Sequence, residues 1–237
     1  MERSNLLVGV VLGISAIIAA AVFGTFLYES RKVRDTVSVV GIATERYEAD
    51  IVKWKIRLEE ATPLNDLKSG YAKLKKSVEN LTAVLLQKDI KKESITINPV
   101  NTYPVYDRDG VVNGYRVQQN LYVIAENIQS IEGLALNPDE LINKEVFIHE
   151  SNLEYFYSDV DRLKVQLLSH ATANAKERAM EMLKNTDLKP DKLVSLRAGV
   201  FQITEPYSTD VASYGVYNTS SRKKEIKVTV HAVFTIK

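Results

Sequence analysis

The feature that most constrains this chain is an uncharged, mostly apolar run near its N-terminus, from Ser4 to Tyr28. A helix needs about 20 predominantly apolar residues to cross the hydrocarbon core of a bilayer, and this run is longer than that. It also continues past Ala19-Ala20-Ala21, which a cleaved secretory signal could use as its small-residue cleavage site. We therefore predict a transmembrane signal-anchor over residues 1–28, a charged linker over 29–35 and a soluble domain over 36–237.

Small residues recur along one side of the predicted anchor. They are Gly9, Gly13, Ala16, Ala20 and Gly24. Small residues four apart let helix backbones approach closely in lipid, so this face is a candidate for self-association of the anchor. The alternative is that such residues are simply common in membrane helices.

Composition excludes several classes of protein. The chain has 31 basic and 30 acidic residues, so it lacks the basic excess of a nucleic-acid-binding protein. It contains no cysteine, which excludes disulfides, thiolate metal sites and cysteine nucleophiles. The metalloprotease, nucleophile-elbow, P-loop and dinucleotide-binding motifs are all absent from the sequence. We predict no catalytic residues, cofactor or metal, and a non-enzymatic role.

Periodicity in the soluble part indicates an α+β domain. Residues 50–59 alternate strictly between an apolar face and a charged face, as in a half-buried antiparallel strand. Apolar residues at spacings of three and four predict a helix over 65–88, opened by Thr62-Pro63. A second long helix should follow Ser158-Asp159, with an inner face made of Leu163, Leu167, Ala171, Ala175, Ala179 and Met182.

The remaining patterns complete the predicted topology. Asp107–Gly110 should form a hairpin turn, and Pro99 and Pro104 mark the strand before it as an edge or bulged strand. Residues 193–203 should form one strand. The predicted fold has antiparallel sheets with helices packed on one face, in the order β-β-α-β-β-α-β-α-β-β after the transmembrane helix.

A long polar loop over residues 204–223 stands out because it is rich in tyrosine, serine and asparagine. Tyr207, Tyr214 and Tyr217 offer large contact area with few torsions, which is typical of recognition surfaces. The alternative is a mobile connection between two strands. Paired carboxylates such as Glu59-Glu60 are expected on the solvated surface.

Several segments together resemble the SIMPL domain family over about residues 36–237. The segments are Val37–Gly41, Glu48–Asp50, Pro104–Tyr106, Asn113–Val117, the ladder Ala171, Ala175 and Ala179, and the closing Ile226–Phe234. Ala43 and Ala49 depart from the family pattern, in the first turn only. The resemblance implies a bacterial cell-envelope domain on the periplasmic side, in a family where some members form oligomers and others are linked to oxidative-stress defence.

The charges around the predicted anchor weakly favour the opposite side of the membrane for the soluble domain. Arg31, Lys32 and Arg34 follow the run, which mildly favours a cytoplasmic domain under the positive-inside rule. We give the resemblance more weight, because acidic residues partly offset this small charge excess. The leading hypothesis is an inner-membrane-anchored, non-enzymatic envelope protein that assembles with copies of itself. The alternative is a module that binds a small molecule or peptide through the 107–110 hairpin and the Tyr207–Tyr217 loop.

Overall fold

The computed structural model describes residues 2–31 and 35–237. The helices are α1 (Glu2–Arg31), α2 (Leu67–Gln87), α3 (Ile128–Leu136), α4 (Asp139–Ile142) and α5 (Val160–Leu183). The strands are β1 (Thr36–Glu48), β2 (Ile51–Pro63), β3 (Ile95–Tyr106), β4 (Val112–Ala125), β5 (Ile148–Phe156), β6 (Pro190–Ala198), β7 (Gln202–Thr204), β8 (Val216–Tyr217) and β9 (Lys223–Ile236). The predicted α+β class is confirmed.

The first sheet contains four antiparallel strands in the order β3-β4-β2-β5. The predicted alternation in β2 is confirmed, because Val52, Trp54, Ile56 and Leu58 are buried. α2 and α3 contact β2 on this buried side. Their apolar side chains join those of the sheet in one core.

The hairpin between β3 and β4 also matches the prediction. Asp107 and Val111 pair through the backbone, and Gly110 takes a φ of 78° that favours glycine. β3 is an edge strand, and its register shifts between Ile97 and Val100. A proline that cannot donate to the ladder is tolerated in both settings.

The predicted start of α2 is wrong. Thr62 and Pro63 belong to β2, where they pair with Tyr115 and Gly114. Asp66 caps the helix instead, since its side chain accepts a hydrogen bond from the Ser69 amide. The Thr62 hydroxyl donates to the Asp66 carbonyl and so fixes the turn between strand and helix.

The second sheet has the order β1-β9-β7-β8, and β6 also pairs with β9. The single strand predicted over 193–203 is wrong, because β6 ends at Ala198 and β7 begins at Gln202. Gly199 lies in this break. Its amide donates to the Thr229 carbonyl, and a Cβ there would lie 2.7 Å from the Thr229 hydroxyl oxygen. A side chain at this position would have to displace the Thr229 hydroxyl.

The described chain divides into two compact units. One comprises residues 1–41, 175–197 and 231–237, and the other comprises 42–174 and 198–230. In the first unit, Ala175 and Ala179 pack with Val37, Val39, Ala232 and Phe234. The second unit holds the core of the four-stranded sheet and a further cluster around Leu167, Ala171, Ile226 and Val228.

Most of the predicted inner face of α5 is confirmed. Leu163, Leu167, Ala171, Ala175 and Ala179 are buried. Met182 is an exception, because its side chain is exposed and Leu183 packs against the core instead. A helix turns about 100° per residue, so neighbouring residues such as Met182 and Leu183 point in different directions and only one of them reaches the buried face.

Helix α1 contains the uncharged run found in the sequence. Every side chain described between residues 12 and 28 is exposed. Across the residues that the structure describes, no helix combines the length and the hydropathy needed to cross a bilayer. The predicted transmembrane helix is not supported by the structure and stays a prediction from sequence. Part of the predicted 29–35 linker, residues 32–34, lies outside the described residues.

Candidate functional site

The long loop between β7 and β9, residues 205–222, is fastened to the sheet by a network centred on Asn218. The Asn218 amide donates to the Ile203 carbonyl, and its side-chain nitrogen donates to Glu205 at 2.6 Å. Its side-chain oxygen accepts bonds from the amide and hydroxyl of Ser220. These bonds pair several polar groups of the loop within the protein.

A second clamp holds the middle of the same loop. The Gln202 side chain donates to the Ala212 carbonyl at 2.8 Å and accepts a bond from the Ala212 amide at 3.3 Å. Gly215 then turns the chain with a φ of 90°, and a Cβ there would lie 2.8 Å from the Phe201 carbonyl oxygen. The short strand β8 follows and pairs in parallel with β7.

Lys224 is hydrogen-bonded to the loop. Its side chain is fully buried, and its ammonium group donates to the Asn218 carbonyl oxygen. Burial lowers the pKa of the Lys224 ammonium from its usual 10.5 to about 8, while nearby Glu205 acts in the opposite direction. A buried amine that titrates near pH 8 is chemically unusual, but here its hydrogen bond ties it to the backbone of the loop.

Removing this amine should change how stability depends on pH. Between about pH 8 and 10.5 the unfolded chain binds a proton at Lys224 that the folded chain has lost, so the folded state gains stability as pH rises. Relative to Lys224→Met, the wild type should gain about 2 to 3 kcal/mol in free energy of unfolding between pH 7 and 10. Urea unfolding at several pH values measures this difference.

The matched control is Lys223→Met, because Lys223 is the exposed neighbour on the same strand. Its stability curve should run parallel to the wild-type curve. Burial raises the pKa of Tyr47 and raises that of Tyr155 to about 12. Both tyrosines are present in every variant, so their contributions to the pH dependence of stability cancel in the comparison. Parallel curves for Lys224→Met and wild type would mean that Lys224 titrates normally.

The structure does not bring the three predicted contact tyrosines into one cluster. The Tyr207 ring lies under the Arg46 guanidinium at 4.2 Å, and its hydroxyl accepts a hydrogen bond from Arg46. Tyr217 packs against Phe156 with ring centroids 6.3 Å apart. Tyr214 projects into solvent and is 88% exposed.

Tyr207 and Tyr214 share the exposed surface of the loop with Val211, which is 76% exposed. Tyr207 has a φ of 67°, a left-handed conformation that is uncommon for a side chain of this size. We refer to the exposed side chains of Tyr207, Val211 and Tyr214 together as the loop surface. Its contact role stays a prediction, and sequence reasoning missed Val211 because only the tyrosines were considered.

The charged face of the four-stranded sheet forms a second candidate region. Glu59 is only 13% exposed at its side chain, contrary to the expected solvated position, because Arg116 pairs with it at 2.8 Å. His149 lies 3.8 Å from the other Glu59 oxygen, and Arg57 pairs with Glu150. The alternating charges of β2 predicted this face, but its partners on β4 and β5 come from distant parts of the sequence.

A shallow groove of about 280 Å³ lies on the same face. Its lining includes Lys53, Tyr122, Asn98, Asn120 and Asn152. The Lys53 ammonium lies 4.8 Å from the centre of the Tyr122 ring. Neither the 107–110 hairpin nor the loop surface lines this groove.

The other candidate residues are more dispersed. Gly9, Gly13 and Gly24 lie on α1 with open space where a Cβ would stand, and Ala16 and Ala20 are exposed on the same helix. Their self-association stays a prediction. His170 and His231 are exposed. No group of three or more His, Asp or Glu side chains in the described part of the chain is placed to hold a metal ion.

These features define an α+β domain with a hydrogen-bonded, tyrosine-rich loop and a charged sheet face. Residues 37–234 match the sequence model of the SIMPL family, described as a protein of unknown function (DUF541). The chain belongs to this family, as the resemblance in its sequence predicted. No curated protein matches it.

A solved structure with a limited likeness to this chain is among those that match. It is described as the crystal structure of a hydrolase from Listeria innocua, with 12% sequence identity, coverage of 79% of this chain and 91% of the other, and a TM-score of 0.22. A score this low carries no argument about the fold or the activity of this chain.

Proposed function

We propose that this protein is a membrane-anchored domain of the cell envelope that acts through protein contacts and not through catalysis. The observation that carries the proposal is the loop surface, where Tyr207, Val211 and Tyr214 are all more than three-quarters exposed on a loop fixed by internal hydrogen bonds. A fixed loop loses little conformational entropy when it binds, and exposed aromatic side chains supply most of the contact area. Self-assembly is the use of these contacts that we favour.

The proposed anchor is α1. Its support is the uncharged run from Ser4 to Tyr28, together with apolar side chains exposed around the helix, such as Ile17, Phe23 and Phe26. A helix that is apolar on every side requires an apolar environment on every side, and a bilayer provides one. The remaining residues form the domain that the anchor would hold near the membrane surface.

We place the domain on the periplasmic side, and single cysteines test this because the natural chain has none. Val165→Cys puts a thiol at an exposed position outside the loop surface. In spheroplasts, a membrane-impermeant maleimide should label this variant before the membrane is permeabilised. Labelling only after permeabilisation would place the domain in the cytoplasm.

Ala171→Cys provides the matched control, because Ala171 is fully buried. A thiol at this position should stay unlabelled in both samples while the domain is folded. Labelling of Ala171→Cys would show that the sample is unfolded and that reactivity at Val165→Cys cannot report the side of the membrane.

The groove on the sheet face favours a second candidate function, the binding of a polar small molecule. Lys53 provides a cation over Tyr122, and no ion pair within the described residues neutralises it. Three asparagines supply both donors and acceptors around it. These groups favour a ligand with hydroxyl and anionic groups over an apolar one.

A further inference from the structure

Strand β6 has one open edge. It pairs with β9, and no other strand in the described part of the chain pairs with it. Lys189 and Lys237 exchange two backbone hydrogen bonds, and the Lys192 amide donates to the Thr235 hydroxyl at 3.0 Å, so the inner edge of β6 is held firmly. The backbone groups along its outer edge are therefore available to another strand.

The side chains of β6 are unusually apolar for an open edge. Leu193, Val194 and Leu196 are 48%, 51% and 46% exposed, on both faces of the strand. Edge strands are commonly protected by prolines, bulges or inward-pointing charges along their length. Here the central segment Leu193–Leu196 carries no charge, and the charges lie at the two ends.

The positions of those charges make the strand complementary to itself. In an antiparallel pair of β6 strands centred on Val194, Asp191 of each copy lies opposite Arg197 of the other, and Leu193 lies opposite Ser195. No ion pair involves Arg197 within the described residues, so its guanidinium is available for such a contact. Asp191 pairs with Lys237 at 2.6 Å and would accept a second cation.

We propose that β6 pairs with β6 of a second copy of this chain across a two-fold axis at Val194. The inference rests on the self-assembly proposed above and adds the open edge of β6 to the loop surface as a second self-contact. An isologous interface requires one patch that complements itself, which is the property that the order of charges in β6 provides. Pairing would also remove the exposed edge from solvent.

Disulfide cross-linking tests this arrangement. Opposed residues in an antiparallel ladder have Cα atoms about 4.5 to 5.5 Å apart, which lies within the range that a disulfide spans. Full-length Val194→Cys, purified in detergent and mildly oxidised, should form covalent dimers roughly tenfold faster than Val165→Cys, since pairing raises the local thiol concentration. Val165 is a matched control because it is 67% exposed and belongs to neither proposed contact surface. Equal rates would indicate random collision and would overturn the proposal.

Charge reversal provides the second readout. In the Val194→Cys background, Arg197→Asp should slow dimer formation because it places two acidic side chains opposite each other. Adding Asp191→Arg to that variant should restore much of the rate by exchanging the two charges. A loss that the exchange does not rescue would contradict the proposed register.

An amine-reactive cross-linker applied to the wild-type chain separates this proposal from the proposed function. If this reagent yields multimers while Val194→Cys forms disulfide dimers slowly, the protein self-assembles but β6 is not the interface. Absence of multimers with both reagents would reject self-assembly together with the β6 pairing.

Discussion

Trp54→Ala is expected to lower the free energy of unfolding by about 3 to 5 kcal/mol. Trp54 is fully buried in the middle of the four-stranded sheet, between Val123 on β4 and Leu153 on β5. Its indole nitrogen donates to the Ser151 hydroxyl at 2.8 Å. Alanine removes both the apolar contacts and this hydrogen bond, and it leaves a cavity that the sheet cannot close.

Urea unfolding of the full-length chain in detergent measures this loss, with tryptophan-independent circular dichroism as the signal. Lys53→Ala is the control, because Lys53 is the adjacent residue in β2 and faces the opposite side of the sheet. It should change the free energy of unfolding by less than about 1 kcal/mol. A loss below 1 kcal/mol for Trp54→Ala would contradict the position of this side chain in the core.

The second large effect concerns the proposed anchor, α1. The double substitution Ile18→Arg and Val22→Arg should move the protein from the membrane fraction to the soluble fraction. Each arginine near the centre of a membrane helix costs about 2.5 to 3.5 kcal/mol of insertion free energy. The two residues lie four apart on α1, so both charges fall on the same side of the helix.

Carbonate extraction of membranes followed by immunoblotting measures this distribution. Ile18→Leu combined with Val22→Leu is the matched control, since it keeps the segment apolar, and this variant should stay with the membrane. Equal membrane retention of the arginine and leucine variants would contradict anchoring through α1.

Sequence periodicity predicted the parts of this fold that depend on local burial. β2 alternates and α2 repeats at three and four because each presents one face to a single core. The last strand follows the same rule, with Ile226, Val228, Val230, Ala232 and Phe234 buried. These patterns come from neighbours in the sequence, so the sequence alone reveals them.

Features that depend on distant partners were predicted less well. Thr62 and Pro63 read as a helix start, but their pairing with β4 extends β2 through them. The strand predicted over 193–203 is interrupted between Ala198 and Gln202, where the Gly199 amide donates to the Thr229 carbonyl. Long-range contacts decide both outcomes, and no local pattern encodes them.

In the candidate site, too, local features were predicted and long-range contacts were not. The tyrosine-rich loop was visible in the sequence, whereas the side chains that hold it in place were not. Lys224 and Gln202 look like ordinary strand residues until the fold places Asn218 and Ala212 beside them. The pairing of Glu59 with Arg116 likewise joins strands that are far apart in the chain.

The measurement that tests the central claim most directly is the mass of the wild-type chain in detergent, determined by light scattering with correction for bound detergent. If the protein assembles through its own surfaces, its mass should be two or more times the 26.6 kDa of a single chain. A mass of 26.6 kDa at every protein concentration tested would contradict self-assembly.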